Sequence, residues 1–180
     1  TYLEGELMQQ YLEDIQIVQK FAAINRKTIL TEIVKGMKWK VQESYSCIHN
    51  YVESAETSYT GAPIIRKGAI SAKKGEKVII PVNMQAGIIL GTGKGNDDWN
   101  QSAPHGAGRL YKRSDMRQNF TVSQFKKAMA GIYSSCVSEG TLDEAPFAYR
   151  NLEDILQVIG DTVDVDQVIH PIYNYKAGNE

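Results

Sequence analysis

A chain of 180 residues, 42% of them hydrophobic, has enough apolar material for one buried core, which excludes a disordered tail and fits a single domain or a large piece of one. With 20 basic and 21 acidic residues the formal net charge is −1, so any polyanion must be met by a local patch and not by an overall field. Cys47 and Cys136 stand far apart without CxxC spacing, which argues against a zinc ribbon or a disulfide scaffold and fits a cytoplasmic, reducing setting; no apolar run is long enough to span a membrane.

From Tyr2 to about Ile24, Leu3, Leu7, Met8, Tyr11, Leu12, Ile15, Val18 and Ala22 recur at helical spacing and predict an amphipathic helix. The chain starts at Thr1, without an initiator methionine and next to this helix, which leads us to expect a piece of a longer protein. A second helix is expected from about Thr28 to Met37, where Ile29, Leu30, Ile33, Val34 and Met37 share a face. Tyr45–Val52 reads as a strand, Lys77–Ile80 as another ended by Pro81, and Gly87–Gly91 as a third. Basic, glycine-punctuated loops lie between them: Arg66-Lys67-Gly68, Lys73-Lys74-Gly75 and Gly91-Thr92-Gly93-Lys94-Gly95-Asn96. The last lacks the strand-to-helix order and later acid of a dinucleotide fingerprint. Beyond His105 the chain is expected to turn helical through Leu110 to Met116; Thr121 then caps a helix to about Ala130, and Asn151 caps Leu152–Ile159. His170–Lys176 alternates apolar and polar residues and reads as a closing strand. Helices, short strands, more helices and a final strand make the fold class α+β.

Only three histidines are present, His49, His105 and His170. Ser102-Ala103-Pro104-His105-Gly106-Ala107-Gly108-Arg109 places one of them among small residues with a guanidinium close behind. Glycines let backbone N–H groups approach an anion and arginine adds a planar fork of donors, so a histidine here can meet a phosphate; a glycine turn carrying a surface histidine is the alternative. His49 lies at the end of the first expected strand, on the same face as Cys47, and is either a metal ligand or a core histidine. His170, before Pro171, reads as a structural or surface residue. On a helix beginning near His105, Arg109 and Arg113 share a face and grip successive phosphates; Arg66, Lys67, Lys94 and Lys112 extend the basic patch.

Taken together, Cys47-Ile48-His49-Asn50-Tyr51, Arg66-Lys67-Gly68-Ala69, Ile80-Pro81-Val82-Asn83-Met84, Gly93-Lys94-Gly95-Asn96, Ser102–Arg109, Asp143-Glu144-Ala145-Pro146 and the late Lys176 resemble, in order, the C-terminal half of RtcB-type RNA ligases, most closely a bacterial branch. The resemblance implies a GTP- and manganese-dependent ligase that joins an RNA 3′-phosphate or 2′,3′-cyclic phosphate to a 5′-hydroxyl, in tRNA splicing or RNA repair. It makes His105 the nucleophile that carries GMP, His49 a manganese ligand and Asn50 a guanylate contact. Pro81, Val82, Asn83 and Met84 match a nucleotide-binding turn, Gly106, Ala107 and Gly108 the backbone cradle, and Lys176 the terminal guanylate contact. Arg109, Arg113 and Lys67 match residues facing RNA phosphates. Two departures concern guanine selectivity: Val82-Asn83 stands where many members have glycine-serine, and Ile88 where a serine helps hold the nucleotide. The family's N-terminal half, with the aspartate, cysteine and two histidines that complete a two-manganese site, has no counterpart here. Residues 1–180 are therefore expected to form a single domain or the C-terminal portion of a larger one, inactive or weakly active alone. A nucleotide- or RNA-binding module without catalysis is the runner-up; a hydrolase with a phosphorylated His105 is more remote.

Overall fold

The computed structural model describes residues 2–176 and divides into two compact units, Thr1–Ile70 and Ser71–Glu180. In the first, α1 runs unbroken over Gly5–Gly36 where two helices were expected. The expected break at Asn25–Lys27 contains neither glycine nor proline, so nothing there interrupts the hydrogen-bond ladder. None of the helix's residues is fully buried, and Leu7, Phe21 and Leu30 are more than half exposed.

The strand expected over 45–52 reduces to β1, Tyr51–Glu53, antiparallel to β2, Ile64–Arg66. Asn50 takes a left-handed backbone (φ 54°), which ends the extended run, so Cys47 and His49 do not share a strand face. Between β1 and β2, Arg66 donates to Glu53 at 2.5 Å and lies 5.4 Å from the centre of the Tyr51 ring. Both charges are almost fully buried, and their pairing is what makes that burial tolerable.

A short strand β3, Ala69–Ser71, carries the chain into the second unit. There β4 (Lys77–Asn83), β5 (Gly87–Gly93) and a later strand, Val163–Ile169, form an antiparallel sheet with β5 in the centre. Val78, Ile80, Val82 and Ile89 turn inward, as period-two alternation requires. Pro81 does not end β4: it stands in an edge strand, where a missing N–H costs no ladder bond, and β4 continues to Asn83. Asn83 then makes the turn, its side-chain oxygen accepting from the N–H groups of Gln85 (2.9 Å) and Ala86 (2.8 Å).

Next come β6 (Ser102–Pro104), α2 (Met116–Asn119), α3 (Val122–Ala128), β7 (Tyr133–Ser134), α4 (Leu152–Ile159), β8, which is the Val163–Ile169 strand, and β9 (Tyr173–Asn174). Thr121 and Gln124 form a capping box and Asn151 caps α4, as the sequence predicted, although α3 stops at Ala128. Met84, Met116, Phe125, Met129, Leu142, Ala145 and Ala148 form a second core beneath these helices.

Two further expectations fail. The segment directly after His105 is not helical, and helix begins only with a 3-10 turn at Arg113–Asp115 that leads into α2: Gly108 is left-handed (φ 72°) and Arg109 forms a β-bridge with Tyr149, extended by bonds from Leu110 N–H to Ala148 and from Arg150 N–H to Gly108. The closing strand contracts to Tyr173–Asn174, with the Ile172 carbonyl accepting from Tyr133 N–H (3.2 Å) just before it. The architecture is α+β, with one long N-terminal helix, small sheets and further short helices.

Candidate functional site

β6 ends at Pro104 and hands the chain to His105, half-buried in the wall of an open cleft of about 570 Å³ within the second unit. Pro81–Met84, Gly106–Gly108, Arg109, Arg113 and Lys176 also line this cleft. The resemblance had grouped these residues, and the fold brings them together from four separate stretches. His49, Asn50 and Lys67 belong to the first unit, where His49 is half-buried, Lys67 is exposed, and the Asn50 side-chain oxygen accepts from Gly68 N–H at 2.9 Å.

The backbone explains the small residues beside His105. A Cβ at Gly106 would stand 3.3 Å from the carbonyl oxygen of Pro81, and Gly108 needs positive φ to deliver Arg109 to its bridge with Tyr149. Val82 and Met84 are buried and line the cleft. The Met84 carbonyl accepts from the Asn174 amide at 2.6 Å, which ties β9 to the end of β4. Ile88 adds an apolar wall.

Arg109 and Arg113 meet the same acids without a helix to align them. Arg113 donates to Asp143 and to Glu144, the latter at 2.6 Å; Arg109 donates to the Asp143 carbonyl and to the Tyr149 hydroxyl (2.9 Å), with its guanidinium 4.8 Å from the centre of the Tyr149 ring. Glu144 also accepts from the Tyr149 hydroxyl (2.7 Å) and faces the Lys176 ammonium at 3.3 Å. Burial pushes the Glu144 carboxyl up, but hydrogen bonds from Tyr149 and Arg113 and the charge of Lys176 outweigh it and hold the group below its ordinary value. Burial, then the bond to Glu144, pushes Tyr149 up to about 12, so this phenol stays a donor. Hydrogen bonds to Glu144 and Asp143 raise Arg113.

Glu144 and Tyr149 carried no assigned role in the sequence reading. The consecutive acids of Asp143-Glu144-Ala145-Pro146 were a signal, but pairing them with arginines thirty residues earlier requires the closed fold. The resulting cleft combines an imidazole, a glycine-rich main chain and three cations, Arg109, Arg113 and Lys176, held by two acids. Such a set can bind a phosphorylated ligand and present a nitrogen nucleophile to it.

Residues 2–177 match the family described as "tRNA-splicing ligase RtcB". This chain belongs to the RtcB family. It is 30% identical over 188 residues to "RNA-splicing ligase RtcB" of Escherichia coli K12, covering 98% of this chain and 46% of that protein. It is 28% identical to "tRNA-splicing ligase RtcB" of Aeropyrum pernix, over 83% of this chain and 37% of the relative, and 25% identical to the Nanoarchaeum equitans protein of the same name, over 83% and 38%. The chain thus spans about half the length of the curated relatives it matches. Among its described residues no group of three His, Cys, Asp or Glu side chains could hold a metal ion. In the cleft, Glu144 is already engaged by Arg113, Tyr149 and Lys176, so the residues present do not fit a manganese ion on their own. No helix among the described residues is long and apolar enough to cross a membrane.

Proposed function

We propose that this chain is the nucleotide-bearing part of an RNA ligase that uses GTP, with His105 as the nucleophile and RNA carrying a 3′-phosphate or 2′,3′-cyclic phosphate and a 5′-hydroxyl as substrate. The observation that carries the reading is the position of His105 in one cleft with Gly106–Gly108, Arg109, Arg113 and Lys176. A ring nitrogen of His105 attacks the α-phosphorus of GTP; the nitrogen–phosphorus bond forms as the bond to pyrophosphate breaks. A 2′,3′-cyclic end is first opened by water, which adds to phosphorus as the bond to O2′ breaks and leaves a 3′-phosphate; an RNA 3′-phosphate oxygen then takes the GMP and frees the imidazole, and the 5′-hydroxyl oxygen attacks the 3′-phosphorus, with GMP leaving and the hydroxyl proton passing to solvent. Dividing the condensation this way replaces one difficult displacement with easier ones.

Arg109 and Arg113 are the forks for phosphate oxygens, and Lys176 is the donor to the guanylate. Pro81–Met84 and Gly106–Gly108 supply main-chain groups around the nucleotide; Asn50 and Lys67 extend the guanylate and RNA contacts in the intact protein. Manganese, with His49 as one ligand, belongs to that intact protein, and no step above is routed through it.

The test is covalent labelling with GTP carrying label on the α-phosphate, using this chain alone and joined to the N-terminal half of a relative, with manganese present. Acid-labile protein label in the joined protein that vanishes in His105→Ala supports the reading. A joined protein that ligates RNA but labels equally well without His105 would sink it, and no label or ligation at all favours a non-catalytic binding module.

A further inference from the structure

β7 and β9 run parallel, and their register pairs Tyr133 with Tyr173. Directly paired residues in adjacent strands project to the same face, and the two rings stack with centroids 5.5 Å apart and planes 20° from parallel. Tyr173 lines the cleft that holds His105, so the stack begins at the cleft's edge and ends at Tyr133. Both rings stand in water, Tyr133 at 69% exposure and Tyr173 at 51%. The platform is also well supported: Asn174 anchors β9 to the Met84 carbonyl, and the Lys176 N–H donates to the Cys136 sulfur at 3.0 Å.

We propose that the Tyr133–Tyr173 stack is a platform for an unpaired base of single-stranded RNA, next to the nucleotide whose phosphate enters the cleft. The inference rests on the RNA-ligase reading and adds to it a defined surface outside the nucleotide-binding groups. Charge and continuity favour RNA over an apolar protein segment, because the stack opens onto the cleft that carries Arg109, Arg113 and Lys176. A flat aromatic pair suits the π-face of any base, so binding here is tolerant of sequence.

Fluorescence anisotropy with this chain and a six-nucleotide single-stranded RNA bearing a 3′-phosphate tests the platform, compared with the same strand made abasic near the phosphate. Tyr133→Leu is expected to weaken binding of the base-bearing strand by about five- to a hundred-fold and to leave the abasic strand unaffected, while Tyr133→Trp retains binding. Equal affinity of wild type and Tyr133→Leu, or a wild type that binds both strands alike or neither, overturns the platform and leaves the surface to a protein partner. His105 labelling, scored separately in the joined protein, distinguishes the two failures: a failed platform leaves the label intact in Tyr133→Leu, whereas a failed ligase reading abolishes the label in the wild type.

Discussion

Glu144 stands where three positive side chains and a phenol converge, and its side chain is only 18% exposed. Its ionised form is therefore part of the folded state's electrostatic balance. Because the folded carboxyl titrates below its ordinary value of 4.5, the associated stability is fully present above that value and is lost as pH falls through the folded one. Glu144→Gln is expected to cost about 2 kcal/mol at neutral pH, from lost charge-assisted bonds. Urea unfolding along a pH series should show the gap between variant and wild type closing below pH 4.5; a gap that persists undiminished in acid would refute the assignment. His105 itself was conspicuous in the sequence, being one of three histidines and followed by Gly106-Ala107-Gly108. Glu144 was not, since a carboxylate's importance depends on which cations fold onto it.

Local chemistry marked some elements well and others poorly. Thr121 and Asn151 announced their helices because a cap needs only backbone groups two or three residues ahead. The helix expected after His105 failed for the opposite reason: the backbone of Arg109 pairs with Tyr149, forty residues on, and that non-local pairing prevails over local spacing. β8 went unread although Val163-Asp164-Val165-Asp166 alternates, because its exposed residues on both faces dilute the usual apolar signal. The central sheet offers a direct check on how closely these strands fit. Gly87 has φ 90°, and an added Cβ would lie 2.0 Å from the Ile169 carbonyl oxygen, whereas Gly160 meets nothing within 4 Å and has an ordinary helical φ. Gly87→Ala is expected to lower the melting temperature sharply, with a loss of about 3 kcal/mol or more. Gly160→Ala should leave it unchanged or raise it slightly. Calorimetry of the two variants decides, and a Gly87→Ala protein as stable as wild type would show that β5 and β8 are less closely paired than described.

At the scale of the molecule, the matched relatives are about twice as long as this chain. The order of the motifs grouped His105, Arg109, Arg113 and Gly106–Gly108, and the fold lines one cleft with them; Asn50 and Lys67, grouped with them by the same motifs, belong to the first unit. The chain alone should show no saturable manganese binding in the micromolar range by isothermal titration, and the joined protein should. A stoichiometric micromolar site in the chain alone would mean that its own histidines and acids suffice.

Pro81 has a consequence beyond ligand binding. It lies in the outer strand of its sheet, with its carbonyl turned toward Gly106 and its nitrogen bearing no hydrogen. A backbone edge with a donor at that position could template an extended segment from another molecule, and the pyrrolidine ring removes the donor at the rim of the cleft. The same residue that lines the cleft thereby guards the sheet against intermolecular strand addition, a safeguard against aggregation.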